Sequence, residues 1–147
     1  MTPDELSDRL LEFAARVGTV VDKLPDTRLG RHVAGQLVRC GTSAPPNYEE
    51  GCAAESRADF VHKLKIALKE LRESRFWLRY IVRTKLLPGS KMNDIIDECQ
   101  QLCNILGKST VTAKGLGKDR EKEEDESPPE KDAPENESDG NRKKPND

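Results

Sequence analysis

The sequence predicts an all-α protein: an antiparallel up-down four-helix bundle over residues 1–108, then a disordered, acidic tail over residues 109–147. Three observations predict it. Apolar residues recur at spacings of three and four through residue 106. No stretch alternates apolar with polar as a half-buried strand would, and Gly/Asn hairpin signals are absent. From residue 117 onward Ala133 is the only hydrophobic residue. Such a segment buries too little apolar surface to offset a backbone entropy of about 1–2 kcal/mol per residue.

The first helix opens at Thr2. Pro3 suits a first helical position, and Thr2 with Glu5 forms a capping box. Leu6, Leu10, Phe13, Val17, Val20 and Leu24 make its apolar seam, and Pro25 ends it. A second helix starts after Asp26 or Thr27, either of which can cap it. Leu29, Val33, Leu37, Cys40 and Ala44 continue the spacing to Pro45-Pro46. There the chain either stops or kinks and resumes; Asn47 with Glu50 resembles a new cap and Gly51 a stop. Ser56 and Asp59 open the third and longest helix, which runs from residue 57 to about residue 86. Pro88-Gly89 makes a turn, and Ser90 can cap a fourth helix. Met92, Ile95, Cys99, Leu102 and Leu106 line that helix, with Gly107 as its terminator. Short connections after the first and third helices favour antiparallel neighbours.

The chain has 147 residues, 34% hydrophobic and 35% charged, which suits one domain. No apolar run approaches the roughly 20 residues of a membrane helix, and the N-terminus lacks a signal-peptide pattern. An intracellular, cytoplasmic protein without membrane contact is therefore expected. Charge is unevenly distributed: residues 1–114 carry 18 basic and 15 acidic side chains, residues 115–147 carry 7 and 12. A mildly basic body favours a polyanionic partner, and an acidic tail can screen it.

The third helix carries more than a core face. Phe60, Leu64, Ala67, Leu71, Leu78, Ile81 and Val82 share the side that a bundle buries. Lys65, Lys69, Arg72, Arg79 and Arg83 fall within an arc of about 80° on another side. Beside that arc lie Ile66, Phe76, Trp77 and Tyr80, outside the face the bundle needs. Three readings follow. Long basic stems can simply cover exposed helix. The apolar strip can be a subunit contact in a homo-oligomer. The cations can neutralise the phosphates of RNA or DNA while rings stack on unpaired bases.

The stretch Arg39-Cys40-Gly41-Thr42-Ser43-Ala44-Pro45-Pro46-Asn47-Tyr48-Glu49-Glu50-Gly51 is followed by Glu55-Ser56-Arg57-Ala58-Asp59-Phe60, then Leu64-Lys65-Ile66-Ala67 and Glu70-Leu71. This order and spacing resembles the bacterial four-helix-bundle family of proteins encoded in 23S rRNA intervening sequences. Ala44 and Tyr48-Glu49 depart from the isoleucine and Ile-Ala usual there. The resemblance covers roughly residues 10–106 and leaves the tail outside. It implies an all-α bundle that assembles as a homo-oligomer, with a pentamer as one expected form. A related branch, the accessory variability determinant of diversity-generating retroelements, implies nucleic acid or a protein partner such as a reverse transcriptase. The signature residues Pro46, Asn47, Glu50, Gly51, Ser56, Asp59 and Phe60 read as structural, for bending, capping, pairing and turning; a binding role for Asn47 and Glu50 is the alternative.

Catalytic chemistry finds little support. Cys40, Cys52, Cys99 and Cys103 include no C-x-x-C pair, and Cys99 and Cys103 lie in an apolar seam as small core residues. His32 and His62 stand alone, and no Gly-rich phosphate loop is present. Glu70 and Glu73 read as surface ion pairs with neighbouring arginines. No enzyme activity, cofactor or metal is expected. The functional expectation is an oligomeric helical-bundle adaptor, with nucleic-acid binding through the basic stripe as the alternative.

Overall fold

The computed structural model describes the backbone of residues 1–125 and the side chains of residues 1–116. It contains α1 (Pro3–Lys23), α2 (Arg28–Gly41), α3 (Ala44–Cys52), α4 (Arg57–Arg83) and α5 (Gly89–Asp125). The architecture is an antiparallel up-down four-helix bundle in which α2 and α3 together make the second leg. α4 packs between α5 on one side and α2 with α3 on the other, and α1 closes the ring against α2, α3 and α5.

Local chemistry sets each start. Thr2 caps α1: its Oγ1 accepts from the Glu5 amide at 3.2 Å, and Glu5 Oε2 accepts from the Thr2 amide at 2.8 Å. Thr27, not Asp26, caps α2, accepting from the Gly30 amide at 3.0 Å. Asp26 instead pairs with Arg31 at 2.8 Å. A Cβ on residue 30 would lie 2.0 Å from the Pro25 carbonyl oxygen, so only glycine fits there. Ser56 caps α4 by accepting from the Asp59 amide at 3.1 Å, while Asp59 contributes negative charge to the first turn.

The proline junction resolves as a break ahead of the prolines. In a continuous helix Pro45 and Pro46 would face Gly41 and Thr42 without an N–H to give, and their rings would crowd those carbonyls. α2 accordingly ends at Gly41, and α3 begins at Ala44 with both prolines in its first turn, where no intrahelical donor is required. Asn47 is therefore not a cap. It lies inside α3, and its Nδ2 donates to the Ser43 carbonyl at 2.9 Å. Gly51 does not stop α3, which runs on to Cys52. Its role is close approach, since a Cβ there would sit 3.0 Å from Lys63 Cβ on α4.

α5 departs further from expectation. Gly89 already belongs to the helix, so Ser90 lies in the first turn rather than at the cap. Gly107 does not terminate it either, and residues 109–125, assigned to the tail from sequence, continue as helix. Packing explains this. Thr110 and Ala113 are buried against the bundle, and the Ala113 carbonyl accepts from Arg57 at 3.5 Å. Such burial outweighs the roughly 1 kcal/mol penalty of an interior glycine. Residues 126–147, the rest of the expected tail, lie outside the described residues.

The core is built by Leu10, Phe13, Val17, Val33, Leu37, Leu64, Leu71, Leu78, Ile81, Met92, Leu102 and Leu106, all fully buried. Gly41 lets α2 approach α1, since a Cβ would meet Val17 Cγ1 at 2.7 Å. Polar ties join the legs at the rim. Arg9 on α1 reaches Glu98 at 2.6 Å and Gln101 at 2.7 Å on α5, Ser7 donates to Glu49 at 2.7 Å, and Lys63 pairs with Glu50 at 2.6 Å. Among the described residues no helix is long and apolar enough to cross a membrane.

Candidate nucleic-acid interface

α4 presents one long face to solvent. Its register puts Leu64, Ala67, Leu68, Leu71, Ser74, Leu78 and Ile81 inside the bundle, and thereby turns Lys65, Lys69, Arg72, Arg79 and Arg83 outward; all five are exposed. None of the five forms an ion pair among the described residues. The stripe from Lys65 to Arg83 is about 27 Å long at the helical rise per residue.

The two glutamates of α4 are engaged elsewhere. Arg39 on α2 reaches across to Glu73 at 2.6 Å and Glu70 at 3.4 Å. Glu70 and Glu73 thus pair with another helix rather than with neighbours on their own. The hydrogen bond and charge of Glu73, with Glu70 adding, hold the Arg39 guanidinium above its ordinary value. The arrangement draws negative charge toward the α2 side and leaves the outward arc of α4 positive.

The aromatic residues divide. Phe76 stands on the basic face, 54% exposed. Trp77 and Tyr80, expected outside the bundle face, are half-buried and packed against the core, so the exposed apolar strip is narrower than the sequence indicated. Large rings explain the difference: Trp77 reaches across the α2–α4 groove and meets His32 edge-to-face at 5.8 Å, while Tyr80 lies toward α5. Phe76 lies 4.9 Å from Trp77 and 6.1 Å from Tyr80, the latter pair inclined by only 29°. Ile66 is half-buried. Arg75, on the α5 side, donates to Gln100. Asn93 and Ile96 of α5 border the same face, together with Arg79 and Arg83. No spacing or motif marks these two, because their position depends on how α5 pairs with α4.

Six of the signature residues make contacts within the bundle. Asn47 is bonded to Ser43, Glu50 to Lys63 and Ser56 to its helix start. Phe60 is half-buried against the core. Pro46 starts α3 and Gly51 sets its approach to α4.

The thiols belong to the interior. Cys40, Cys99 and Cys103 are buried and unbridged, while Cys52 is exposed. Burial pushes the Cys40 thiol up, and the hydrogen bond with Cys103 followed by burial pushes Cys99 up. Buried thiols held protonated in this way are poor nucleophiles. Burial likewise pushes the Tyr48 phenol up. Among the described residues no group of three His, Cys, Asp or Glu side chains is placed to hold a metal ion. A cleft of about 760 Å³ lies between α3, the start of α4 and the overhang of α5. Tyr48, Phe60, Ala113 and Leu116 line it.

A model of the 23S rRNA-intervening sequence protein family matches residues 5–108. Among solved structures, the chain is similar to a protein of unknown function from the S23 ribosomal protein family of Bacteroides thetaiotaomicron. The TM-score is 0.67 at 32% sequence identity, over 71% of this chain and 97% of that one. The comparison with curated proteins finds no match.

Proposed function

The chain belongs to the 23S rRNA-intervening sequence protein family, and from that premise we propose that it is a non-enzymatic helical-bundle adaptor that binds nucleic acid along α4. One observation carries this reading. Lys65, Lys69, Arg72, Arg79 and Arg83 stand exposed and, among the described residues, without carboxylate partners, while both glutamates of the same helix are held by Arg39. Cations placed so are free to displace the counterions of a phosphate backbone.

Fluorescence anisotropy with labelled RNA and DNA over a salt series tests it. Each phosphate contact contributes about 0.7–0.9 to the slope of log affinity against log salt. Replacing all five residues by Gln is expected to remove most of that slope and weaken binding uniformly across sequences. A slope that survives the five substitutions would place the nucleic acid elsewhere on the molecule.

Self-association is the second reading, favoured by the large apolar side chains that remain exposed: Phe76, Leu11 at 59% and Val38 at 38%. A homo-oligomer would repeat the basic stripe on each subunit, and a pentamer is one form the family resemblance suggests. Light scattering at tens of micromolar separates this reading from a monomer.

A further inference from the structure

Along α4 the five outward cations follow at steps of four, three, seven and four residues, and Phe76 stands in the wide gap between Arg72 and Arg79. Near the helix's C-terminal end a hollow of about 360 Å³ opens between α4 and α5, and Phe76, Tyr80, Arg79, Arg83, Asn93 and Ile96 border it. Its size falls at the lower end of the roughly 300–1,000 Å³ typical of small-ligand sites.

We infer that the chain takes single-stranded nucleic acid in preference to duplex, seating an unpaired base against Phe76 and Tyr80 in this hollow. The inference rests on the nucleic-acid reading above and names the kind of nucleic acid. The two rings are stacked, 6.1 Å apart and inclined by 29°, so Tyr80 supports the Phe76 ring against which a base would lie. Phe76 is more than half exposed, although a phenylalanine at that place contributes little to the core. Every base has a π face, so such a platform accepts bases without regard to sequence. A base inside a duplex has both faces covered by its neighbours and cannot reach it.

The polar groups of the hollow agree. Arg79 and Arg83 sit on its border without ion pairs among the described residues, placed for the phosphates on either side of a seated base. The Asn93 amide has no other partner among the described residues and offers both a donor and an acceptor to a base edge. No carboxylate among the described residues borders this hollow. The neighbouring depression, about 450 Å³, is a poorer place for an anion, because Asp97 borders it and Arg75 is engaged by Gln100.

The test uses the full-length protein and labelled oligonucleotides of about 12 residues, single-stranded and as the matching duplexes, in RNA and DNA forms at equal salt. Anisotropy gives affinity. Emission of Trp77, the single tryptophan, gives a local signal, because its ring lies 4.9 Å from Phe76. Single strands of both kinds are expected to bind about tenfold more tightly than duplexes and to quench Trp77. Phe76→Ala, a substitution at an exposed position, is expected to abolish most of that tenfold difference while leaving duplex affinity and the salt slope in place. Val111→Ala, at an exposed apolar position on α5, should change nothing. Equal affinity for single strand and duplex overturns the inference and leaves the broader reading standing; so does an equal loss of both in Phe76→Ala. Absence of binding by every oligonucleotide at low salt overturns both.

Discussion

Lys85 carries a φ of 59°, and among the described residues no other non-glycine residue has a positive φ. It follows the C-cap Thr84, and the hydrogen bonds around it close α4: the Lys85 amide donates to Val82 at 3.1 Å and the Leu86 amide to Ile81 at 3.0 Å. This is the six-to-one and five-to-two pattern that usually ends on glycine. A left-handed conformation strains an L-residue by roughly 1–2 kcal/mol, because Cβ crowds the following carbonyl. Glycine removes the strain but loses more entropy on folding, by roughly 0.5–1 kcal/mol. Lys85→Gly is therefore expected to stabilise the bundle by about 0.5–1 kcal/mol in urea unfolding, with the slope unchanged. A destabilised variant would mean that the Lys85 side chain contributes to the end of α4 more than its backbone loses.

At the scale of elements, the apolar seams read from sequence are the seams that pack, except at Leu29, which stands 39% exposed at the start of α2: Leu6, Leu10, Phe13 and Val17 on α1, Val33 and Leu37 on α2, Ile95, Cys99 and Leu102 on α5. The period of 3–4 residues carries that information directly. Helix ends were less legible, because prolines and glycines act through context. Pro45 and Pro46 marked an interruption, but only the lost donors toward Gly41 and Thr42 fix it ahead of them. Gly107 looked like a stop because glycine favours helix ends; the burial of Thr110 and Ala113, which overrides it, depends on a neighbouring leg. The candidate site divides the same way. The outward direction of the five cations followed from α4 alone, whereas the burial of Trp77 needed α2 and the positions of Asn93 and Ile96 needed α5. If residues 109–116 belong to the bundle as packed helix, a chain ending at residue 108 should lose stability where one ending at residue 125 does not. The lost burial of Thr110 and Ala113, with new exposure of Phe60, amounts to about 1–2 kcal/mol. That corresponds to a fall of roughly 5–10 °C in Tm for a domain of this size. Equal Tm values for the two chains would return the domain boundary to residue 108.

On the scale of the whole molecule, charge and topology are coupled. The α4–α5 turn places the start of α5 beside the basic C-terminal end of α4, and Arg16, Lys23 and Lys91 border a cleft at the same end. α5 then runs antiparallel to α4 and extends past the start of that helix, so the chain after residue 125 departs from the opposite end. Residues 126–147 carry seven acidic and four basic side chains. Those 22 residues can span up to about 70 Å when extended. From Ala113, level with Arg57, to Asp125 the helix advances about 18 Å. The acidic segment therefore has the length to come back along the stripe from Lys65 to Arg83 and to compete, as a tethered anion, with phosphate. Removing residues 126–147 is expected to raise nucleic-acid affinity about two- to fivefold at low ionic strength. The gain should shrink toward nothing near 1 M salt, where the screening length is about 3 Å. Because the tether competes for the same cations, the gain should also vanish in the chain carrying Gln at all five stripe positions. Both tests use the anisotropy salt series. A gain that persists in that five-Gln chain would show that the tail acts through net charge alone and not on α4.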